Sequence, residues 1–189
     1  DNTSIWKEIN IKALHGQTKD ALSKTQAGQW QYDIVEAGYK CNMTDLQAAI
    51  GWVEMDRYAE DHLPKRKSIF KLYVDGFSSF DWAILPAFHI DNRESSYHLF
   101  PLRIRGFDEE KRNALITFLA EKGISTNVHF QPLPRLSYYR NQGFKESDFP
   151  NAFSQFENEI SLPVYFDLEN EQVKWIIEEI VDYVNAQFA

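Results

Sequence analysis

The chain has 189 residues, 43% of them apolar, with 14 Phe, 9 Tyr and 5 Trp, which is ample for a core and argues against a disordered protein. A net charge of −8 argues against a general nucleic-acid or membrane-surface binder, and a lone cysteine, Cys41, rules out an internal disulfide framework. No apolar run approaches the roughly 20 residues of a membrane span, and the opening Asp1-Asn2-Thr3-Ser4 has neither signal-peptide character nor an initiator Met, so a fragment is expected.

In chain order, Thr3 or Ser4 can cap a short helix through about Leu14, with Ile5, Ile9 and Leu14 on its apolar side. The polar stretch from His15 to Gly38, broken by Gly16 and Gly28, reads as a long loop. Loops of that length are functional or docked on something else. Residues 1–43 are therefore expected to form an arm that needs a partner surface, with protease cutting a monomer between His15 and Gly38. Thr44 and Gln47 then spell a Thr-x-x-Gln capping box, which satisfies orphan donors at a helix start. Leu46, Ala49, Ile50 and Val53 follow at helical spacing, and the helix should run to about His62. Pro64 suits the first turn of a second helix, or a kink, continued by Ile69, Phe70, Tyr73 and Phe77 and closed by Gly76 and the serines.

Trp82–Ile90 and Ser96–Ile104 read as a half-buried antiparallel hairpin joined by Asp91-Asn92-Arg93-Glu94. In its second strand Tyr97, Leu99, Pro101 and Arg103 alternate with His98, Phe100, Leu102 and Ile104. Asp108 caps a helix carrying Leu115, Ile116, Phe118 and Leu119, which Gly123 ends. Ile124–Phe130 is expected as a third strand, and an aromatic, proline-bearing loop runs from Gln131 to Phe149. A short helix (Asn151–Asn158), an extended piece (Glu159–Tyr165) and a last helix complete the chain. In that last helix Val173, Ile176, Ile177, Ile180, Val181 and Val184 form the cleanest apolar stripe of the sequence. The fold class is α+β, a small antiparallel β-sheet packed by helices over 44–189, with the N-terminal arm before it.

The reactive residues by themselves point to no chemistry. There is no glycine-rich phosphate loop, no Gly-x-Ser-x-Gly elbow and no Cys/His cluster. His15, His62, His89, His98 and His129 are too dispersed to suggest a metal site. Residue chemistry alone stops at a soluble α+β domain.

The segment Gly38-Tyr39-Lys40-Cys41-Asn42-Met43-Thr44-Asp45-Leu46-Gln47-Ala48-Ala49-Ile50-Gly51 goes further. It closely resembles the signature at which the DegT/DnrJ/EryC1/StrS family of pyridoxal-phosphate sugar aminotransferases passes from its cofactor domain into its C-terminal domain. Other likenesses follow in register. His15-Gly16-Gln17-Thr18-Lys19-Asp20-Ala21 resembles a His-Gly-x-x-x-Asp-Ala segment, and Tyr32-Asp33-Ile34-Val35 resembles the approach to the signature loop. Ser96-Tyr97-His98-Leu99, Gly123-Ile124 before Val128-His129-Phe130, and Tyr138-Tyr139-Arg140 with Gly143-Phe144 also match. So do Asp148-Phe149-Pro150-Asn151-Ala152 and Ile160-Ser161-Leu162-Pro163.

The resemblance implies the C-terminal portion of a fold-type-I aminotransferase. The parent enzyme would move an amino group from an amino acid such as glutamate to a nucleotide-linked keto-sugar, in amino-sugar and surface-polysaccharide biosynthesis. It would be a cytoplasmic homodimer using pyridoxal 5'-phosphate, with no nucleic-acid or membrane partner. In the family the signature loop reaches the cofactor phosphate of the partner subunit, which makes Lys40 and Asn42 the cofactor-binding candidates. An ammonium and an amide donor suit a phosphate dianion. Which of the two makes the contact stays open, since many members carry Asn and Arg at these places. Asp45 at the helix start repels an anion, so side chains rather than the helix end must bind it.

His129 matches a histidine beside the family's nucleotide-sugar site, and Arg135 is a candidate for the sugar-nucleotide diphosphate. Pro134 and Ser137 stand where many members have a second histidine and a proline. No segment resembles the one that bears the Schiff-base lysine. No catalytic residue is therefore assigned, and the chain alone is expected to be inactive and cofactor-free. A sugar dehydratase of the same family and a non-catalytic folded module or interaction fragment remain as alternatives. Ile50, Trp52, Val53 and Met55 ring more of the Thr44 helix than one buried stripe requires, which predicts association into a homodimer.

Overall fold

The computed structural model describes residues 2–18 and 33–188. Their contacts group into two compact units, Asp1–Asp56 and Arg57–Ala189.

The first unit opens with helix α1 (Thr3–Ala13). Its cap is Asn2, whose side chain accepts from the Ile5 amide, and not Thr3 or Ser4. The Ser4 hydroxyl instead donates to Asn2 Oδ1 at 2.7 Å, steadying the cap. After α1 the main chain pairs with a later segment, Leu14 bridging Lys40 and Gln17 bridging Ile34. The His15 amide donates to Tyr39 O at 2.9 Å and the Val35 amide to Gly16 O at 3.0 Å. Two glycines permit this approach. A Cβ at Gly16, where φ is +75°, would lie 1.9 Å from Glu36 O, and one at Gly38 would lie 2.3 Å from Gly16 N. The two ends of the expected loop are thus tied to each other. Its middle, 19–32, with the expected protease site there, lies outside the described residues.

Helix α2 (Asp45–Arg57) follows, started by the expected capping box. The Gln47 amide donates to Thr44 Oγ1 at 3.3 Å, and the Thr44 amide donates to Gln47 Oε1 at 3.0 Å. Neither α1 nor α2 carries a buried residue.

Regular α-helix ends at Arg57, and Tyr58–His62 form a π-helical turn where the sequence predicts more α-helix. Helix α3 (Leu63–Phe77) has Pro64 in its first turn and buries Ile69, Phe70, Tyr73 and Phe77, as expected. Gly76 does not close it. A Cβ there would lie 2.7 Å from Ile177 Cδ1, so the glycine lets α3 approach the last helix.

Strand β1 (Ala83–Ile84) pairs antiparallel with β4 (Phe100–Ile104), which pairs antiparallel with β5 (Glu159–Leu162). The expected hairpin is divided, because its tip forms a separate ribbon of β2 (His89–Ile90) and β3 (Arg93–Glu94). Pro86 removes a ladder donor from the first run, and Tyr97, at φ +53°, interrupts the extended backbone of the second. Ile124–Phe130 is not a strand. Only Asn127 bridges to the sheet, at Ser161, and β5 takes the place beside β4.

Helix α4 (Glu109–Glu121) is capped by Asp108, which accepts from the Lys111 amide at 2.9 Å, and Gly123 follows it at φ +78°. The proline-bearing loop contains α5 (Ser137–Asn141) and two short 3₁₀ turns. The next helix, α6, covers Pro150–Phe156, ending before the expected Asn158. Helix α7 (Asn170–Phe188) buries Val173, Ile176, Ile180 and Val184. The core lies between the sheet and α3, α4 and α7: Phe100, Leu102, Ile104, Ile160 and Leu162 meet Phe70, Tyr73, Leu115, Leu119, Ile176 and Ile180. Each such side chain contributes about 1.5–3 kcal/mol on leaving water. The architecture is the expected α+β. No helix among the described residues is long and apolar enough to cross a membrane.

Candidate functional site

Side chains alternate along a strand, so β4 and β5 present a second face. Pro101, Arg103, Glu159 and Ser161 share it, with Arg103 opposite Glu159 and Pro101 opposite Ser161. All four residues of β5 are buried, so Glu159 and Ser161 require hydrogen-bond partners.

The bridge at Asn127 supplies them. The Ser161 amide donates to Asn127 O at 2.7 Å, which carries the following residues alongside β5. The His129 amide donates to Glu159 Oε2 at 3.0 Å, and the His129 ring holds Nδ1 at 2.8 Å from Ser161 Oγ. The Ser161 hydroxyl donates to Glu159 Oε1 at 2.5 Å. Burial pushes the Glu159 carboxyl above its usual range, while the Ser161 hydroxyl, the His129 amide and the Arg112 charge favour the anion.

Arg112 on α4 braces this network from below. Only 2% exposed, it donates through Nη1 to the main-chain oxygens of Phe156 (3.1 Å) and Glu159 (3.2 Å), and its guanidinium lies 4.7 Å from the Phe156 ring centre. Burial pulls this guanidinium below its usual range, and Glu109 and Glu159 counteract that.

A cleft of about 560 Å³ opens over the polar face, lined among others by Arg103, His129, Phe130, Gln155, Phe156 and Glu159. Arg103 donates to Asn158 Oδ1 at 3.1 Å and Ser154 O at 3.2 Å, neither of them a carboxylate. A cationic fork with uncharged partners, an imidazole and exposed ring surface suit a ligand that mixes hydroxyls with an apolar or planar part. Next to it, across Ala152, the proline-bearing loop encloses an apolar hollow of about 410 Å³ between Pro134, Tyr139, Phe144 and Phe149.

Of the residues predicted by resemblance, His129 lines the cleft. Arg135 does not line it. Its Nη1 donates to Glu109 Oε2 at 2.6 Å, which holds the guanidinium above its usual range, and it lies 5.2 Å from the Phe156 ring centre. Lys40 and Asn42 sit in the first unit, both exposed, with Lys40 Nζ donating to Asn42 Oδ1 at 2.5 Å. Among the described residues, the amide N–H donors of Asn42 and the remaining ammonium protons of Lys40 have no other hydrogen-bond partner. An ammonium beside amide N–H donors suits a phosphate dianion. Among the described residues no group of three or more His, Cys, Asp or Glu is placed to hold a metal.

Sequence reasoning missed Arg103, Arg112, Glu159 and Ser161. A polar residue at alternate positions of Glu159-Ile160-Ser161-Leu162, inside an otherwise apolar context, is the signal that marks the second face. Nothing local marks Arg112, which reads as one more charge on a helix.

Comparison with known proteins shows the family of the chain. The family model described as the DegT/DnrJ/EryC1/StrS aminotransferase family matches residues 1–181. The spore coat polysaccharide biosynthesis protein SpsC of Bacillus subtilis is 36% identical over 193 residues, covering 98% of this chain and 48% of that protein. An uncharacterized protein of Methanocaldococcus jannaschii, MJ1066, is 38% identical over 192 residues, covering 98% of this chain and 47% of its own length. Among solved structures, the putative sugar aminotransferase Spr1654 from Streptococcus pneumoniae in its PMP-form superposes with a TM-score of 0.87 at 45% identity, over 98% of this chain and 46% of that one. The chain thus spans about half the length of the relatives it matches.

Proposed function

Because the chain belongs to the DegT/DnrJ/EryC1/StrS aminotransferase family, we propose that it is the C-terminal portion of a pyridoxal-phosphate-dependent aminotransferase acting on a nucleotide-linked keto-sugar. The observation that carries the reading is the likeness, over 98% of the chain, to a sugar aminotransferase solved in both PMP and PLP forms. The likeness to a spore coat polysaccharide biosynthesis protein supports a role in making amino sugars for a surface glycan. In this reading residues 1–43 end the cofactor domain and 44–189 form the C-terminal domain. The enzyme is a cytoplasmic homodimer with glutamate or a similar amino donor.

Pyridoxal phosphate, when bound, supplies the electron sink that lets an amino group move between donor and acceptor. The contribution of this chain is to bind and orient. Lys40 and Asn42 would hold the cofactor phosphate of the partner subunit through their ammonium and amide donors. His129 offers a ring nitrogen to the sugar nucleotide in the cleft, and Phe130, 76% exposed, offers ring surface. Arg135, held to Glu109 and outside the cleft lining, would reach the diphosphate only on leaving that ion pair. The lysine that holds the cofactor covalently belongs to the rest of the protein.

The purified full-length protein is expected to carry bound cofactor with visible absorbance and to turn over a keto-sugar nucleotide with glutamate. A full-length protein without bound cofactor overturns the reading. Treating this chain alone with pyridoxal phosphate and borohydride should leave no stoichiometric adduct on a unique lysine; such an adduct would place the attachment residue here. Light scattering at low micromolar concentration should give the mass of a dimer, and a monomer mass refutes the assembly.

A further inference from the structure

Glu159 and Ser161 form a buried polar pair to which the proposed reaction assigns no part. Both hydrogen-bond to His129, the one imidazole that lines the cleft. We infer that Glu159, acting through Ser161, is a positioning residue that holds His129 in the Nδ1–H tautomer, leaving Nε2 as a bare acceptor toward the cleft.

The argument is a count of protons. Glu159 Oε2 accepts the His129 amide and Oε1 accepts the Ser161 hydroxyl, so both carboxylate oxygens are engaged by donors. A hydroxyl has a single proton. Given to Glu159, it leaves Ser161 Oγ only its lone pairs for the His129 ring, 2.8 Å away. The ring nitrogen at that distance, Nδ1, must then carry the hydrogen, and a neutral ring protonated at Nδ1 has none on Nε2. An imidazole free in water favours the opposite tautomer, so the relay works against the intrinsic preference.

The charges around the relay hold its direction. Arg112 on α4 donates to the main-chain oxygen of Glu159, and Arg103 stands opposite Glu159 in the ladder from β4. From α6 the cleft receives Gln155 and Phe156, neither of them charged. Arg103 on β4 and Arg112 on α4 are thus the cations beside Glu159, with the Glu109 carboxylate 3.9 Å from the Arg112 guanidinium. The consequence is chemical selectivity: a bare Nε2 accepts a hydrogen bond from a hydroxyl and repels the lone pairs of a phosphate oxygen. Within the proposed function, which this consequence rests on, His129 reads a sugar hydroxyl and not the diphosphate.

The tautomer is measured without substrate or cofactor, from the imidazole ¹⁵N shifts of the ¹⁵N-labelled chain at neutral pH, with the His129 signals assigned by His129→Gln. The expected spectrum is that of Nδ1–H. Ser161→Ala should invert it to Nε2–H, whereas Ser161→Thr, which keeps the hydroxyl, should restore Nδ1–H. Glu159→Gln, which can turn its amide N–H toward Ser161 and so free the hydroxyl proton for the ring, should raise the share of Nε2–H. An Nε2–H spectrum in the unmutated chain overturns the inference whatever the variants do, and so does a Ser161→Ala chain that keeps Nδ1–H. Failure here leaves the aminotransferase reading standing, because no turnover is measured.

Discussion

In Asp1–Asp56 the described chain is tied by its own main chain, with His15, Gly16 and Gln17 bonded across to Ile34–Cys41 and two glycines pressed together, while Trp6, Trp52 and Met55 stay 61%, 72% and 76% exposed. In Arg57–Ala189 the helices are joined by side chains instead, with Phe70, Tyr73, Phe100, Ile160 and Ile180 removed from water. Both units form helices from the same local signals, an Asn2 cap and a Thr44–Gln47 box in one, an Asp108 cap in the other. Helix formation and helix burial are therefore separate problems. An isolated helix of the length of α1 or α2 is marginal in water. The exposed apolar side chains of the first unit are the surface that the proposed assembly would have to cover.

The comparison can be broken most directly at its two extremes. Phe100→Ala, at a position 0% exposed and with Phe70 at 5.0 Å, is expected to cost about 3–5 kcal/mol in denaturant unfolding. Trp52→Ala on α2 should change the stability of the chain by no more than about 0.5 kcal/mol. Equal losses would mean that the two units are not held by different means.

Arg112→Leu sharpens the picture of the second unit, where a polar group is braced as firmly as the apolar ones. It strands the main-chain oxygens of Phe156 and Glu159, each at a cost of about 1–3 kcal/mol, so the loss should exceed that of any surface arginine such as Arg105. Gly38→Ala tests the first unit on its own terms. With its Cβ 2.3 Å from Gly16 N, it should open the pairing of His15 with Tyr39 at a local cost of about 1–3 kcal/mol. Hydrogen exchange should then accelerate at those amides and not at the Ile104 or Ser161 amides. A smaller and purely local loss is expected of Thr44→Ala, which removes the capping box and should fray the start of α2 by about 1 kcal/mol, read as lost helicity with an unchanged unfolding midpoint for the second unit.

What the sequence by itself determined is whatever rests on neighbours along the chain. The α7 stripe from Val173 to Val184, the Asp108 cap, the Thr44–Gln47 box and the alternation of Phe100, Leu102 and Ile104 all reappear, because caps act over three residues and burial follows the periods of helix and strand. The likeness to the family was legible for a similar reason, being carried by short motifs in order. Only the tertiary structure decided the rest. Tyr97 turned one hairpin into a sheet strand and a separate ribbon, and Gly76 proved to be a contact with Ile177 rather than a helix stop. Glu109 engaged Arg135, and Ser161 and Glu159 met a histidine some thirty residues away in the chain. Such pairings depend on which backbone the fold brings alongside, and hydrogen bonds and charges act over a few ångströms of space whatever the separation in sequence.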